Sequence, residues 1–248
     1  MTEETKKLSE MIAQSSRIVF FGGAGVSTES GIPDFRSEQG IYNTVHNYGC
    51  PPEEILSHTF FMRNPKKFFD FYRSTMVYTQ AQPNQAHQAL AKLEAMGKLT
   101  AVVTQNIDGL HQAAGSRRVY EVHGSIHRNY CMKCHKAFSL EDIMAMEGIP
   151  HCDKCGGVIK PDVVLYEEAL DENTISKSIQ AIENADMLIV GGTSLNVYPA
   201  SSFVGYYHGN RLVLINKSTT PYDKYANILI HDSIGKVLDE AVENCQKL

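Results

Sequence analysis

Residues 22–37 read GGAGVSTESGIPDFRS, a run of small residues that ends in a compact polar cluster. The run follows the apolar, strand-like segment Arg17–Phe21 and leads into a polar stretch that can start a helix. In α/β folds, a strand that delivers glycines to a helix N-terminus binds a pyrophosphate, because the backbone approaches closely and its free N–H groups attract negative charge. Gly23 and Gly25 match the first two glycines of G-x-G-x-x-G, whereas Thr28 replaces the third. We therefore predict a nucleotide-binding loop here, with a simple tight turn as the alternative.

Two further polar clusters follow predicted strands. Residues 31–36, GIPDFR, combine a stiff turn, a carboxylate, an aromatic ring and a guanidinium. The cluster Gln105–His111 (QNIDGLH) comes directly after the strand-like run Thr100–Thr104, and a short strand at Val119–Val122 leads to His123–Gly124. Because ligands of open α/β sheets bind at the carboxyl ends of strands, the Gln105–His111 cluster is predicted to lie at a ligand site. Solvated loop residues, turns and helix caps are the alternative interpretation.

Length and composition limit the classes of protein to consider. The 248 residues predict one α/β domain, or one domain with an insertion, and the 43% hydrophobic content is enough for a packed core. The net charge of −5 argues against a general attraction to nucleic acid. The polar N-terminus does not resemble a signal peptide, and no apolar run reaches the roughly 20 residues of a membrane span. We therefore expect a cytoplasmic protein with reduced cysteines, no membrane or nucleic-acid partner, and a monomeric state.

Alternating helices and strands extend through most of the chain. Strands separated by helices predict a mostly parallel sheet with helices on both faces. Residues 38–79 instead form a helical, aromatic-rich insertion. The remaining predicted helices are at Thr2–Gln14, Asn84–Met96, Glu172–Asn184, Pro199–Tyr207 and from Ile234 onward, and the remaining predicted strands are at Val163–Tyr166, Met187–Val190, Leu212–Ile215 and Ile228–Ile230.

Four cysteines form a metal-binding pattern. Cys131 and Cys134 make one C-x-x-C pair, and Cys152 and Cys155 make a second one after a short intervening segment. This spacing is typical of a zinc ribbon, in which four thiolates complete a tetrahedron around Zn²⁺. The neighbouring His135 and His151 could substitute as ligands, but four sulfurs already fill the coordination sphere. We expect one structural zinc ion without a catalytic role.

The glycine loop, the Gln105 cluster, His123–Gly124, the Gly192–Leu195 loop (GTSL) with Asn216, and the paired cysteines occur in the order typical of the sirtuins. The chain resembles the bacterial type of this family of NAD-dependent protein deacetylases. The resemblance implies a discontinuous Rossmann-like, NAD-binding domain made of residues 1–37, 80–123 and 161–248. It also implies a small domain that combines the helical insertion 38–79 with a zinc-binding insertion, 124–160.

The resemblance further implies a reaction that consumes NAD. The acyl oxygen of an N-acetyl-lysine attacks the nicotinamide-bearing ribose carbon, nicotinamide leaves, and O-acetyl-ADP-ribose is released. His123 acts as general base on the ribose hydroxyls, Asn106 is a second catalytic residue, and Phe35 shields the reacting ribose. The cofactor-binding residues implied by the family are Gly23, Ala24, Gly25, Thr28, Asp34, Phe35, Arg36, Gln105, Asn106, Ile107, Asp108, His123, Gly192, Thr193, Ser194, Asn216, Lys217 and Ser233. The acetylated peptide is expected to add a strand between two segments, and its contact residues are Val163, Tyr166, Glu168, Val197 and Tyr198.

Two stretches bear on which substrates are accepted. The segment Lys160–Glu168 departs from the family pattern, which more usually begins with Arg and has Phe-Gly at the positions of Tyr166-Glu167; this departure concerns peptide preference. Sirtuins that prefer succinyl-lysine resemble one another in a Tyr-x-x-Arg pair, whose members share a helix face. Here Tyr72 is followed by Arg73 and, three residues on, by Thr75. Arg73 should point elsewhere, so we expect weak activity on succinyl-lysine.

Three other functions are compatible with parts of the sequence. A dehydrogenase would place an acidic residue at the end of the next strand, where Thr104-Gln105-Asn106 stand instead. A zinc-ribbon module that binds nucleic acid is disfavoured by the acidic total and the long α/β remainder. A protein mono-ADP-ribosyltransferase uses the same NAD chemistry and is the alternative that the sequence separates least well from a deacetylase.

Overall fold

The computed structural model describes residues 2–35, 40–41 and 49–247. The described residues contain a six-stranded sheet in the order β3-β2-β1-β7-β8-β9 and a three-stranded sheet in the order β5-β4-β6. Every neighbouring pair in the larger sheet is parallel. The strands are β1 (Ile18–Gly22), β2 (Leu99–Thr104), β3 (Val119–Glu121), β4 (Gly124–Cys131), β5 (Ala137–Phe138), β6 (Ile159–Val163), β7 (Met187–Gly191), β8 (Leu212–Ile215) and β9 (Ile228–Ile230).

Helices cover both faces of the larger sheet, as the sequence predicts. The central strands are almost continuously apolar because each of their faces is buried. In β1, Phe20 packs in the cluster under three helices, whereas Phe21 packs in the cluster on the opposite face. The helices are α1 (Glu3–Ala13), α2 (Pro52–Ile55), α3 (His58–Arg63), α4 (Pro65–Phe71), α5 (Gln85–Ala95), α6 (Leu110–Ala113), α7 (Leu140–Ala145), α8 (Glu172–Glu183) and α9 (Ile234–Cys245). Helices α1, α5 and α9 lie on the Phe20 face, and α8 lies on the Phe21 face.

Three predicted elements differ from the structure. The glycine loop continues into two 3₁₀ turns, Ala24–Val26 and Thr28–Ser30, and not into an α-helix. The helix predicted at Pro199–Tyr207 is a 3₁₀ helix, Ala200–Tyr206, whose serines, valine and glycine are weak formers of α-helix. The strand predicted at Val163–Tyr166 was wrong, because β6 ends at Val163 and belongs to the antiparallel sheet.

The two insertions share one hydrophobic core. Phenylalanines of the helical insertion, among them Phe61 and Phe68, pack in the same buried cluster as Ile126, Ile143 and Ile159 of the zinc-binding insertion. This common core supports the proposed small domain. The domain limits themselves stay a proposal, and β6 crosses the one proposed between residues 160 and 161.

Arg73 links the two insertions through its guanidinium group. Its Nη atoms donate to the carbonyls of Gly148 at 2.6 Å, Met146 at 2.8 Å and Ile143 at 3.4 Å. These carbonyls lie at and beyond the C-terminal end of α7, where a helix leaves its carbonyls without internal partners. The guanidinium carbon also lies 5.3 Å from the centre of the Phe69 ring. Arg73 therefore holds α7 against the helical insertion.

No helix in the described part of the chain is long and apolar enough to cross a membrane.

Candidate active site

The candidate site lies where the order of the strands reverses. From β1 the chain passes to β2 and β3 on one side of the sheet and later returns through β7, β8 and β9 on the other side. At the carboxyl ends, Gly22 of β1 is in register with Thr104 of β2 and with Gly191 of β7. In open α/β sheets such a switch point leaves a crevice between diverging loops, and ligands bind in it.

The loops that follow β1 and β7 touch through their backbones. The N–H of Gly25 donates to the carbonyl of Gly192 at 2.8 Å. A Cβ atom on Gly25 would lie 2.8 Å from the Gly192 Cα, and one on Gly192, which has φ +60°, would collide with the Val26 nitrogen. Gly23 and Ala24 belong to the same turn. Both glycines are therefore required for the close approach of the two loops.

Side chains from three strand ends form a hydrogen-bonded chain across this edge. Gln105, after β2, donates through Nε2 to Thr193 Oγ1 at 3.0 Å. The Thr193 N–H, after β7, donates to Asn216 Oδ1 at 2.9 Å, and Asn216 follows β8. Asn216 Nδ2 is buried and has no hydrogen-bond partner within the described residues. A buried amide that still has a donor to offer fits the ribose or phosphate oxygens of a bound nucleotide.

A second set of contacts connects the glycine loop to the Gln105–His111 cluster. Ser27 Oγ donates to Asp108 Oδ2 at 2.7 Å, and Asn106 Nδ2 donates to Ser27 Oγ at 3.1 Å. Asp108 Oδ1 accepts from the Leu110 N–H at 2.9 Å. The sequence analysis did not select Ser27, although it lies between two residues of the loop that were selected. Its role depends on a contact with a residue far along the chain, which no local pattern shows.

His123 lies between β3 and β4 at the same edge of the sheet. Its Nδ1 is 3.0 Å from the Gln105 carbonyl oxygen, and its own carbonyl accepts from the Val164 N–H at 3.0 Å. A carbonyl oxygen only accepts, so Nδ1 carries the proton and Nε2 keeps a free lone pair. Burial lowers the pKa of His123, and the bond to Gln105 only partly offsets this effect. The imidazole is therefore neutral near pH 7 and able to take up a proton at Nε2.

Two buried histidines lie beneath the loops. The ring centroids of His87 and His111 are 4.7 Å apart, and His111 also lies against Phe20. His87 Nδ1 accepts from the N–H of Asn84, the residue that caps α5. Neither ring nitrogen of His111 has a hydrogen-bond partner in the described structure. Burial, together with the neighbouring His87, lowers the pKa of His111 to about 3, so the pair is neutral.

The remaining predicted cofactor residues are placed as follows. Thr28 Oγ1 donates to the carbonyl of Gly25 at 3.0 Å, and the Asp34 carbonyl accepts from the Ile41 N–H at 2.8 Å. Phe35 and Ile107 pack against the core of the small domain. The side chains of Ser194, Lys217 and Ser233 make no hydrogen bond to the loops above within the described part of the chain. Arg36 lies outside the described residues.

The predicted peptide contacts fall on two segments. Val163 is the last residue of β6, and Tyr166 and Glu168 belong to the irregular segment 164–168 that follows it. Val197 and Tyr198 precede the 3₁₀ helix Ala200–Tyr206, and 77% of the Tyr198 side chain is exposed. Both segments leave side chains at the surface, as a peptide site requires.

The four paired cysteines meet in one cluster. Their Sγ atoms all lie within 4.8 Å of one another, with 3.4 Å between Cys131 and Cys155 and 3.7 Å between Cys134 and Cys152. Tetrahedral Zn²⁺ with Zn–S bonds of about 2.3 Å requires sulfurs about 3.8 Å apart. His135 and His151 are not part of the cluster. The donor set fits a structural zinc ion with no open position.

Comparisons with known proteins agree with this geometry. The family model described as "Sir2 family" matches residues 23–199. An NAD-dependent protein deacetylase of Clostridium acetobutylicum is 60% identical over 243 residues, which cover 98% of this chain and 99% of the relative. The solved structure of a Sir2 homologue with NAD is 38% identical, with a TM-score of 0.87, and covers 97% of this chain and 93% of that one. A Sir2 variant with a deacetylated p53 peptide and 3′-O-acetyl-ADP-ribose is 34% identical, with a TM-score of 0.87 and coverage of 97% and 98%.

The buried His111 should make the fold sensitive to acid. Its pKa is about 3 in the folded state against 6.5 for an ordinary histidine, so the unfolded chain takes up the proton first. The stability is therefore fully present above pH 6.5 and is lost as the pH falls. Between pH 7 and pH 5 the free energy of unfolding should drop by about 2 kcal/mol through this residue.

Urea denaturation at the two pH values tests this expectation. Between pH 7 and pH 5, the free energy of unfolding of His111→Phe should fall by about 2 kcal/mol less than that of the wild type. His208→Phe, which changes an exposed histidine, should lose as much as the wild type. If His111→Phe loses as much as His208→Phe, then His111 is not a source of the acid sensitivity.

The metal cluster predicts one zinc ion per chain that supports the fold. Cys152→Ala should reduce the zinc content measured by mass spectrometry and lower the melting temperature, because binding of a structural zinc contributes folding free energy. Cys245→Ala is the matched control, since Cys245 is also buried but lies in α9, away from the cluster. It should keep the full zinc content. A Cys152→Ala protein that is metal-free and as stable as the control would contradict the assignment.

Proposed function

The chain belongs to the Sir2 family, and from this membership and the geometry of the site we propose that it is an NAD-dependent protein lysine deacetylase. It transfers the acetyl group of an N-acetyl-lysine to ADP-ribose and releases nicotinamide, O-acetyl-ADP-ribose and free lysine. The observation that carries the proposal is the position of His123. Its Nδ1 is committed to the Gln105 carbonyl at 3.0 Å, at the sheet edge that also holds the glycine loop. Its free Nε2 is then available as a base.

NAD supplies the ribose carbon that the acetyl oxygen attacks as nicotinamide leaves. The pyrophosphate lies against the backbone of the glycine loop, whose position is set by the contact between Gly25 and Gly192. Asn216 Nδ2, buried without a partner in the described structure, donates to the adenosine half of the ligand. Lys217 and Ser233 complete that end, and Thr193 and Ser194 take phosphate or ribose contacts.

The nicotinamide end lies over the Ser27–Asp108–Asn106 contacts. These bonds fix the Asn106 amide and the Asp108 carboxylate before any ligand binds, so no ordering of these side chains is needed on binding. Asn106 and Gln105 hold the ribose, while Ile107 and Asp108 contact the carboxamide. Phe35 excludes water from the reacting carbon, and Arg36 contributes to the same loop.

His123 acts after nicotinamide has left. Its Nε2 takes the proton of a ribose hydroxyl, whose oxygen attacks the former acetyl carbon, and the lysine amine leaves with a proton. A water molecule then adds to the same carbon, and the bond to the anomeric oxygen breaks, so that O-acetyl-ADP-ribose carries the ester on the ribose and a hydroxyl on the anomeric carbon. Because burial lowers the pKa of His123, the base is already in its neutral form near pH 7. General base catalysis of this kind typically contributes roughly 10²–10⁴-fold.

The acetylated peptide adds as a strand between residues 163–168 and 196–198. We also place the enzyme in the cytoplasm as a monomer, in line with six cysteines that form no disulfide.

The transferase alternative is not favoured, because the relatives bear the name deacetylase. No observation points to a protein acceptor of ADP-ribose.

Acetyl is the preferred acyl group. Arg73 donates to carbonyls of Ile143, Met146 and Gly148, so its Nη atoms are already engaged in hydrogen bonds there. The Tyr72 hydroxyl is buried without a hydrogen-bond partner in the described part of the chain, and burial raises its pKa. A succinyl carboxylate that reached this hydroxyl would have to compete with three carbonyls for the guanidinium of Arg73.

The role of His123 can be separated from binding. His123→Ala should abolish release of O-acetyl-ADP-ribose from an acetylated peptide and NAD, because no base activates the ribose hydroxyl. It should retain measurable exchange of labelled nicotinamide into NAD, since that step comes first. Equal loss of both activities in a protein that melts like the wild type would show that His123 is needed before nicotinamide leaves.

The acyl preference is tested on one peptide that carries acetyl-lysine or succinyl-lysine at the same position. A hydrogen bond to a charged group contributes about 1.5–3 kcal/mol, so kcat/KM should be roughly ten- to hundredfold lower for succinyl. Thr75→Arg places a guanidinium three residues after Tyr72 and should narrow this difference. Comparable values for the two acyl groups in the wild type would contradict the argument from Tyr72 and Arg73.

A further inference from the structure

The segment 164–168, proposed above to bind the peptide, is attached to the first turn of α3. The Tyr166 N–H donates to the Leu56 carbonyl at 3.0 Å, and the Tyr166 carbonyl accepts from the His58 N–H at 3.0 Å. These two bonds form an isolated parallel bridge between Ser57 and Tyr166. The segment is therefore held by the helical insertion and not only by β6, the strand that precedes it.

Glu167 adds a second attachment to the same helix. Its Oε2 accepts from the Thr59 N–H at 2.9 Å and from Thr59 Oγ1 at 2.6 Å. The first N–H groups of a helix have no partners within the helix. In α3 the His58 N–H donates to the Tyr166 carbonyl, and the Thr59 N–H donates to the Glu167 carboxylate. The Phe60 N–H has a local acceptor, Ser57 Oγ, at 3.1 Å. Most of the cap of α3 is thus supplied by the peptide-binding segment.

The backbone of Glu167 has an unfavourable conformation. Its φ is +75°, in the left-handed region that a residue with a Cβ rarely adopts. Glu167 is the third residue of the turn Leu165–Glu168, which the Glu168 N–H closes by donating to the Leu165 carbonyl at 3.0 Å, and a positive φ is typical of this position in one common turn type. Charge-assisted hydrogen bonds to a backbone N–H and a hydroxyl are among the stronger ones, and they favour the conformation that brings the carboxylate to Thr59. They also lower the pKa of Glu167, which keeps the group ionised near pH 7.

The next residue, Glu168, connects the segment to α3 through His58 and to β6 through Lys160. Its carboxylate lies 2.8 Å from His58 Nδ1 and 3.0 Å from Lys160 Nζ, and it accepts from the Leu165 N–H at 2.9 Å. Burial raises its pKa, but these hydrogen bonds outweigh burial, and the net pKa is lowered. Two consecutive carboxylates therefore bind different partners, which requires the turn at Glu167.

The segment keeps four main-chain groups available. The N–H of Glu167 and the carbonyls of Val164, Glu167 and Glu168 take no hydrogen bond within the part of the chain that the structure describes. The Val164 N–H donates to the carbonyl of His123, so the segment is hydrogen-bonded directly to the residue that is proposed as the general base. A peptide that pairs as an added strand needs such free N–H and C=O groups in a fixed direction.

We propose that Glu167 is a positioning residue for the peptide substrate, and this proposal rests on the deacetylase function proposed above. Its carboxylate fixes residues 164–168 on α3 in the conformation that presents their free main-chain groups to the peptide. The described contacts of Glu167 are with the helical insertion and not with the nucleotide loops or His123. Its loss should therefore weaken peptide binding and leave NAD binding and the chemical step intact.

The test measures kcat, the KM of an acetylated peptide and the KM of NAD separately. Glu167→Ala keeps the left-handed position but loses both acceptors, and should raise the peptide KM about tenfold, with kcat and the NAD KM within about twofold of the wild type. Glu167→Gln keeps an oxygen that accepts from both Thr59 donors and should stay within about twofold for all three constants. A rescue by Gln and not by Ala assigns the effect to the oxygen contacts.

Asp171→Ala is the matched control. Asp171 Oδ2 accepts from the Thr174 N–H at 2.7 Å and from Thr174 Oγ1 at 2.8 Å, so it caps α8 through the same pair of bonds. Its loss should lower the melting temperature to a similar degree without changing the peptide KM. If Glu167→Ala does not fold, Thr59→Val removes one of the two bonds and should raise the peptide KM about threefold.

Two results would overturn the proposal. One is an unchanged peptide KM in Glu167→Ala, or in Thr59→Val where that variant replaces it. The other is an equal rise of the peptide KM in Asp171→Ala, which would indicate a general loss of stability. Failure of the wild type to form O-acetyl-ADP-ribose from the peptide and NAD would instead reject the proposed function, and it is seen before any variant is compared.

Discussion

The candidate site depends on the backbone contact between the loops after β1 and β7. Gly25 and Gly192 approach so closely that a Cβ atom on either residue would collide with the backbone of the opposite loop. Because β1 and β7 are the strands between which the connections diverge, this contact closes the base of the crevice that the topology opens. A side chain at either position would separate the loops and displace Thr193, which links Gln105 to Asn216. The arrangement of these polar residues therefore depends on the absence of a side chain at both positions.

The polar groups around this contact are held in place mainly by one another. Gln105, Thr193 and Asn216 connect three strand ends, and Ser27 connects the glycine loop to Asp108 and Asn106. Each bond satisfies a group that would otherwise be buried without a partner, which is costly in a low-dielectric interior. The Asn216 amide nitrogen remains unsatisfied among the described residues. In the proposed function this nitrogen donates to an oxygen of the bound nucleotide, so the same residues that connect the strand ends also serve the ligand.

The parallel sheet, the helices on both faces and the cysteine cluster could be predicted, because each leaves a local signal in the sequence. Runs such as Leu188–Val190 are apolar on both faces, and the cysteine pairs have the spacing of zinc knuckles. The 3₁₀ turns after Gly23, the antiparallel strand β6 and the role of Ser27 could not be predicted. They are set by contacts between distant residues: Gly25 with Gly192, Asn129 with Pro161, and Ser27 with Asp108. Tertiary contacts of this kind override local propensity.

In the proposed function the two ligands are held by different parts of the chain, and this division gives a reason for the several contacts that fix the small domain. The proposed nucleotide contacts lie at the strand ends of the six-stranded sheet. Segment 164–168 instead follows β6 and is hydrogen-bonded to the start of α3. The geometry of segment 164–168 thus depends on how the helical insertion packs against the zinc-binding insertion. Arg73 ties α7 to the helical insertion, and the cysteine cluster orders the ends of β4 and β6. A structural metal far from the reacting atoms can therefore affect the peptide site, since both depend on the same small core.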